Sequence, residues 1–133
     1  MPSRLRDDEP FLEFWRERRV GFLTTPRPDG TPHLVPVGIT YEPQTGTARV
    51  ISSRGSKKVR NLLHAGPGAP VAVSQAEGRR WATLEGTARV REDAESVAYA
   101  ERLYAERYRT PRVNPERVVI EITVTRTLGW KPR

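Results

Sequence analysis

The stretch SSRGSKKVRNL, residues 52–62, has the residue types that bind a phosphate group. Two of the chain's three lysines, Lys57 and Lys58, are adjacent here, although the chain contains 23 Lys plus Arg. Ser56 is placed to cap a helix whose first turn offers unpaired N–H groups and the positive end of the helix dipole. Hydroxyls, amides and ammonium groups together form a phosphate site. An ordinary solvated helix start is the alternative interpretation, and this fragment alone does not decide between the two.

A second candidate surface is the strand predicted over HLVPVGITY, residues 33–41. Alternation along this strand places five side chains on one face: His33, Val35, Val37, Ile39 and Tyr41. The opposite face carries Pro36 and Gly38, which are low and flat enough for a planar heterocycle to lie against them. The alternative is that Pro36 only protects an exposed sheet edge.

Two groups combine arginine with aromatic residues. Trp81 follows two arginines on the polar face of a predicted strand, which is typical of a ligand or subunit contact and equally of a surface tryptophan. In and just before the segment ERYRTPRVNPERVV, Tyr104 and Tyr108 are interleaved with arginines that could clamp carboxylates, or that simply belong to a solvated connector. The arginines of this segment are Arg107, Arg109, Arg112 and Arg117.

No residue is identified as catalytic. The chain has no Cys, so thiolate catalysis, disulfides and Cys-built metal sites are excluded. His33 and His64 are the only histidines and lack ligand spacing, so no metal site is expected. Neither a Ser/His/Asp arrangement nor a close carboxylate pair stands out. An enzyme with this sequence would therefore take its reactivity from a cofactor.

The elements that position these residues are mostly short strands. Alternating apolar residues and turn signals predict six strands with interspersed helices and no regular βαβ pattern. The fold class is therefore a mostly antiparallel β-barrel with short helices, in one domain over residues 1–133. The predicted strands are 20–25, 33–41, 48–53, 71–75, 80–91 and 117–125, and the predicted helices begin near Asp8 and span 56–64 and 92–109.

Charge and hydropathy limit the partners. The net charge is +7 and the pI is near 10.5, which favours an anionic ligand. The arginines are spread along the chain without a basic tail or a recognised motif, so we do not expect a nucleic-acid partner. No signal peptide and no membrane-length apolar run is present, so the expected location is the cytoplasm, without a membrane partner.

Three motifs in one order carry a family resemblance. They are GFLTTPRPDGTPHLVPVG, ARVISSRGSKKVRNL and RWATLEGTARV, followed by the tail AERYRTPRVNPERVVIEITVTRTLG. This order resembles the pyridoxamine-phosphate-oxidase-like split β-barrel superfamily, and within it the branch that uses the deazaflavin coenzyme F420. The tail resembles the F420-dependent biliverdin reductases of actinobacteria, and the likeness extends from about Phe11 to Gly129.

The resemblance implies a homodimer with a cofactor site at the subunit interface. It implies hydride transfer from reduced F420 to biliverdin, giving bilirubin, with FMN as the alternative cofactor. The phosphate and nearby polar groups would be held by Ser52, Ser53, Lys57, Lys58 and Asn61. The ring would lie against His33, Leu34, Val35 and Pro36, and the other subunit would contribute Gly78, Arg79, Arg80 and Trp81. Candidates for the propionates of biliverdin are Arg107, Arg109 and Arg112.

Two other functions remain open at this point. One is an FMN-binding split barrel, acting as an oxidoreductase or a flavin carrier. The other is a non-enzymatic module that binds haem or nucleic acid. The absence of the C-terminal Arg/His substrate motif of true pyridoxamine-phosphate oxidases argues against that activity.

Overall fold

The computed structural model describes residues 5–132 and contains seven strands and three helices in that range. In chain order the elements are α1 (Glu9–Phe14), β1 (Gly21–Pro26), β2 (Pro32–Val37), β3 (Thr40–Glu42), β4 (Thr47–Ser53), α2 (Lys57–Ala65), β5 (Ala69–Glu77), β6 (Arg80–Arg91), α3 (Ala94–Arg107) and β7 (Arg117–Gly129). Within residues 5–132, no helix combines the length and apolarity needed to cross a membrane.

All seven strands belong to one antiparallel sheet, in the order β2-β1-β5-β6-β7-β4-β3. β2 and β3 form its two edges, yet only Gly38 and Ile39 separate them along the chain. The sheet must therefore curve until its edges approach each other, which is the geometry of a barrel. This confirms the predicted mainly β, split-barrel fold.

The prediction of one continuous strand over 33–41 was wrong, because the chain leaves the sheet at Gly38–Ile39. Residues at the end of α3 bind the backbone there. Arg107 Nη1 donates to the Ile39 carbonyl at 2.6 Å, and the Ile39 N–H donates to the Tyr108 hydroxyl at 3.1 Å. Because these side chains satisfy the Ile39 backbone, the peptide needs no strand partner and the ladder can end. Seven strands result instead of six.

Arg107 is itself buried and fully engaged. It is 9% exposed, and its Nε donates to the Glu17 carbonyl at 2.8 Å while Nη2 donates to Gln75 Oε1 at 2.9 Å. Burial lowers the pKa of its guanidinium from the ordinary value, and the nearby Arg19 acts in the same direction. With its bond to Ile39, Arg107 ties the end of α3 to three separate segments of the barrel.

The core lies between the inward faces of the strands and α1. The predicted alternation of β6 is confirmed, since Ala82, Leu84 and Ala88 are buried. α1 covers one end of the barrel with Phe11 and Phe14, both 0% exposed. Its start follows the predicted signals: the Asp8 carboxylate accepts from the N–H of Phe11 at 3.2 Å, and a proline occupies the first turn.

β6 and β7 approach closely at one glycine. Their register shifts between Glu85 and Gly86, so that Thr125 lies opposite no residue of β6 and forms a β-bulge. A Cβ on Gly86 would lie 1.9 Å from the carbonyl oxygen of Thr123, a backbone atom that cannot turn aside. Glycine is therefore the residue that this crossing permits.

We expect Gly86→Ala to lower the free energy of unfolding by about 3 kcal/mol or more, because the methyl group forces the two strands apart. Urea unfolding of the purified variant measures this. Gly55→Ala is the matched control, since a Cβ at Gly55 meets nothing within 4 Å, and its stability should stay within about 0.5 kcal/mol of the parent. Equal stability of the two variants would contradict the close approach at Gly86.

Arg107→Lys should also destabilise the ligand-free protein, by about 2–4 kcal/mol, because one ammonium cannot reach three separated acceptors and leaves buried groups unpaired. The measurement is again urea unfolding. Arg109→Lys is the control: Arg109 is exposed and forms no hydrogen bond or ion pair with residues 5–132, so stability should change by less than about 0.5 kcal/mol. If Arg107→Lys were as stable as this control, the structural role of Arg107 would be refuted.

Candidate functional site

The start of α2 joins two serine hydroxyls and two lysines. Ser56 adopts the extended N-cap backbone, but its hydroxyl forms no cap hydrogen bond and lies 2.8 Å from Ser52 Oγ instead. Ser53 Oγ accepts from Asn114 Nδ2 at 2.8 Å. The first turn of α2 contains no acidic residue, so its N–H groups and dipole are left for an anion.

Lys57 and Lys58 differ in their surroundings. Lys57 is exposed, whereas Lys58 is half-buried, and burial lowers the pKa of its ammonium from the ordinary value of 10.5. Neither side chain has a hydrogen-bond or ion-pair partner among residues 5–132. A half-buried cation without a partner is a favourable place for an anionic group.

Lys58 opens onto a cavity of about 670 Å³, which we call the cationic pocket. It contains four cationic side chains and no carboxylate. It is formed where the end of β2, β4, α2, α3, the loop 108–116 and the start of β7 meet. Its lining residues are Pro36, Val37, Gly38, Ile51, Lys58, Tyr104, Arg109, Thr110, Pro111, Arg112 and Arg117.

The strand break at Gly38 gives the pocket its wall. A Cβ on Gly38 would lie 2.8 Å from Cε2 of Tyr104, so glycine allows the tyrosine ring to reach the end of β2. Tyr104 and Tyr108 stack obliquely, with ring centroids 4.9 Å apart. Sequence reasoning placed Tyr104 in the apolar stripe of α3 and among the arginines of the following segment, but did not name it as a site residue.

The β2 residues predicted to contact a ring divide between two faces. Leu34 is 62% exposed and Pro36 is also exposed, whereas His33 and Val35 are half-buried. Of the four, Pro36 lines the cationic pocket. Burial lowers the pKa of His33, and the cations Arg27, Lys57 and Lys58 add to this, so the imidazole is neutral at pH 7.

The hairpin residues predicted to complete the site lie elsewhere in the monomer. The turn is made by Gly78, whose φ is 59°, and Arg80 bonds Glu17 and Glu77. The strand register places this hairpin beside the beginning of β1, whereas His33 pairs with Thr25 at its end. Arg79 and Trp81 are exposed, and no residue from Gly78 to Trp81 lines the cationic pocket.

One predicted ligand contact is wrong, and a second has only half of its amide engaged. Asn61 is 1% exposed and its Nδ2 donates to Thr25 Oγ1 at 3.1 Å, whereas its Oδ1 is buried without a hydrogen-bond partner among residues 5–132. Arg107 uses all three guanidinium nitrogens on Glu17, Ile39 and Gln75, so none is free for a propionate. Arg109 and Arg112 do line the pocket and stay in the candidate set.

The chemistry open to this arrangement is binding and orientation of anions. The pocket lining has cations, two hydroxyl-bearing residues and the flat surface of Pro36 and Gly38. It has no carboxylate for general acid–base catalysis. Among residues 5–132, no three His, Asp or Glu side chains group closely enough to hold a metal ion.

An exposed apolar face adjoins the pocket at Pro36. Phe22 pairs with Pro36 and Ser74 across the sheet, and Thr24 pairs with Leu34, so these side chains share one face of β2, β1 and β5. Phe22 is 49% exposed. We call this the β1–β2 face, defined by Val20, Phe22, Thr24, Leu34, Pro36, Ala72, Ser74 and Ala76.

The chain matches known proteins along nearly its whole length. Residues 8–131 match the family model described as pyridoxamine 5'-phosphate oxidase. An F420H(2)-dependent biliverdin reductase of Mycobacterium tuberculosis (strain CDC 1551 / Oshkosh) is 49% identical over 127 residues, which are 96% of this chain and 89% of that protein.

Solved structures agree on the fold. A conserved hypothetical protein from Mycobacterium tuberculosis superposes with a TM-score of 0.77 at 25% identity, covering 95% of this chain and 85% of that one. An F420 reductase superposes with a TM-score of 0.72 at 24% identity, covering 92% and 98%. The chain therefore belongs to the pyridoxamine 5'-phosphate oxidase family, on the branch that contains the mycobacterial biliverdin reductase.

Proposed function

We propose that this protein is an F420-dependent oxidoreductase that reduces biliverdin at the cationic pocket. The observation that carries the proposal is a set of cations, Lys58, Arg109 and Arg112, whose side chains have no partner in the described part of the chain and whose pocket is lined by no carboxylate. F420 has a phosphate and a glutamate tail, and biliverdin has two propionates. Both molecules therefore gain from the positive potential of this pocket. The relative that is 49% identical supports this choice of cofactor and substrate.

The residues at the start of α2 fit the phosphate of the cofactor. Lys58 offers a partly desolvated ammonium, Lys57 adds a second charge, and Ser52 and Ser53 place hydroxyls beside the helix N-terminus. The main chain of β2, from His33 to Pro36, would border the ring. When bound, reduced F420 supplies the hydride that the tetrapyrrole accepts.

The protein itself contributes the positioning of the two reactants and the positive electrostatic potential around them. Arg109 and Arg112 would take the propionates, because both are exposed at the pocket and their guanidinium groups have no partner among residues 5–132. The Tyr104 ring and Pro36 would bound the space in which the two planar systems meet. Holding the reactants in contact can by itself provide a large part of a rate enhancement.

A homodimer would complete the site. The β1–β2 face is apolar and adjoins the pocket at Pro36, so a second copy that covers it would lie beside the cofactor. The hairpin with Gly78, Arg79, Arg80 and Trp81 is remote from the pocket in its own chain, and Trp81 is 42% exposed. In the dimer this hairpin of the second copy would close the site.

The proposed function is tested by incubating the purified protein anaerobically with reduced F420 and biliverdin. Bilirubin, identified by mass spectrometry, should form in step with the oxidation of F420H2. If F420 bound but no bilirubin formed, the assignment of the cofactor would stand and the assignment of biliverdin as the substrate would be wrong. Turnover with reduced FMN but not with F420H2 would assign the FMN alternative.

Lys58→Gln should weaken F420 binding by about 1.5–3 kcal/mol, the range for a hydrogen bond to a charged group. Calorimetric titration of the folded variant measures the change. Lys131→Gln is the control, since this exposed lysine near the C-terminus does not line the pocket. Unchanged F420 affinity in Lys58→Gln would show that the phosphate of F420 does not bind at the start of α2.

The F420 affinity of the parent protein should depend on pH through the same group. The protonated ammonium of Lys58 binds the anion, so affinity is complete below its pKa and falls as pH rises through that pKa. Because burial lowers the pKa from 10.5, the fall should begin at a lower pH than an ordinary lysine would give. The decline should disappear in Lys58→Gln, and its persistence there would assign it to another group.

Phe22→Glu should convert the dimer to a monomer and abolish F420H2 oxidation, because a carboxylate would be buried against the second copy. Light scattering after size-exclusion chromatography gives the mass. Leu63→Glu is the control: Leu63 is 49% exposed, as Phe22 is, and lies outside both the β1–β2 face and the pocket lining, so mass and turnover should not change. A monomeric parent protein with full activity would overturn the shared site.

A further inference from the structure

Arg117 has a guanidinium that is held from one side only. Its Nη1 donates to Glu101 Oε2 at 2.9 Å and to the Arg112 carbonyl at 2.9 Å. The side chain is 10% exposed, so these two bonds fix a nearly buried group. Glu101 is on α3 and Arg112 is in the loop 108–116, and the orientation of the guanidinium is therefore set by two different segments.

The other side of the same guanidinium has no partner among residues 5–132. Arg117 Nε is buried and unpaired, and no residue among 5–132 accepts a hydrogen bond from its Nη2. Nε–H and one Nη2–H point in parallel, at the spacing of the two oxygens of a carboxylate or of a phosphate. A buried charged donor left unpaired is costly, and a bound oxyanion would relieve that cost.

Arg117 is itself one of the residues that line the cationic pocket. Arg117 is the first residue of β7 and pairs with Ser53, the last residue of β4, just before α2. It lines the pocket together with Lys58, Arg109 and Arg112, while its partner Glu101 does not. An anion in the pocket would therefore lie beside Arg117 without lying against the carboxylate that orients it.

Two other arginines with a buried unpaired Nε lack this combination. Arg91 Nε lies 3.5 Å from the Glu121 carboxylate, so an anion already stands beside it. Arg19 Nη2 pairs with Glu17 and Glu77, and Arg19 does not line the cationic pocket. Arg117 alone among the three joins a free guanidinium edge to the pocket.

We propose that Arg117 is an oxyanion receptor that binds two oxygens of a ligand through Nε and Nη2, with Glu101 as its positioning residue. The ligand group is a carboxylate of the planar acceptor or the phosphate of the cofactor. The choice between these two sources rests on the proposed function, whereas the receptor itself rests on the geometry of Arg117. Sequence reasoning left Arg117 among the undecided arginines of its segment.

The test compares Arg117→Lys, which keeps the charge but loses the parallel edge, with Arg126→Lys on the same strand. Arg126 has an exposed side chain and does not line the pocket. Three ligands are titrated into the parent and both variants: F420, biliverdin and pyrophosphate, the last as a simple anion that needs neither cofactor nor substrate. Biliverdin dimethyl ester, which lacks free carboxylates, is the fourth arm.

Arg117→Lys should weaken at least one ligand by about tenfold or more, and Arg126→Lys should weaken none. A loss for F420 and pyrophosphate assigns the edge to phosphate. A loss for biliverdin but not for its dimethyl ester assigns it to a substrate carboxylate. Unchanged affinity for all of them in a folded Arg117→Lys overturns the receptor.

The outcomes separate this inference from the proposed function. If F420 and biliverdin turn over in Arg117→Lys with parental constants, the receptor fails and the reductase stands. If the parent binds pyrophosphate through Arg117 but neither F420 nor biliverdin, the reductase fails and the receptor stands. Should Arg117→Lys not fold, the Nε–H resonance of Arg117 in the parent protein decides: it must shift when one of the three ligands is added, and no shift with any of them refutes the receptor.

Discussion

The hydrogen bonds from the end of α3 to Ile39 are the constraint on which the barrel and its pocket depend. Arg107 and Tyr108 take both backbone groups of Ile39, so the strand 33–41 divides into two edges of one sheet. The same contact brings Tyr104 onto Gly38 and carries the following loop across the end of β2. The same contacts therefore close the barrel and form the pocket.

The arginines near this contact have different roles, which depend on where they lie in the fold. Arg107 is on the last turn of α3 and faces inward, where neutral carbonyl and amide oxygens surround it. Arg109 and Arg112 follow in the loop and face the pocket, where no carboxylate pairs with them. Arg107 therefore joins buried segments through its hydrogen bonds, whereas unpaired cations at a cavity attract an anionic ligand.

Local sequence signals were enough to predict much of this protein. Alternation identified β6, the Ser56 turn marked the start of α2, and the lysines singled out Lys58 as a pocket residue. The strand break was missed because the partner of Ile39 lies 68 positions away, at Arg107. For the same reason Arg107 was assigned to a ligand: only the folded chain distinguishes an inward-facing arginine from its exposed neighbours.

The pocket beside Lys58 is proposed to select F420. Equilibrium titration of the purified protein with F420 and with FMN, followed by quenching of intrinsic tryptophan fluorescence, tests this preference most directly. F420 should bind tightly and FMN weakly, because the longer anionic tail of F420 can use the cations that line the pocket. Tighter binding of FMN would contradict it, leaving the fold and the phosphate site but not the reductase.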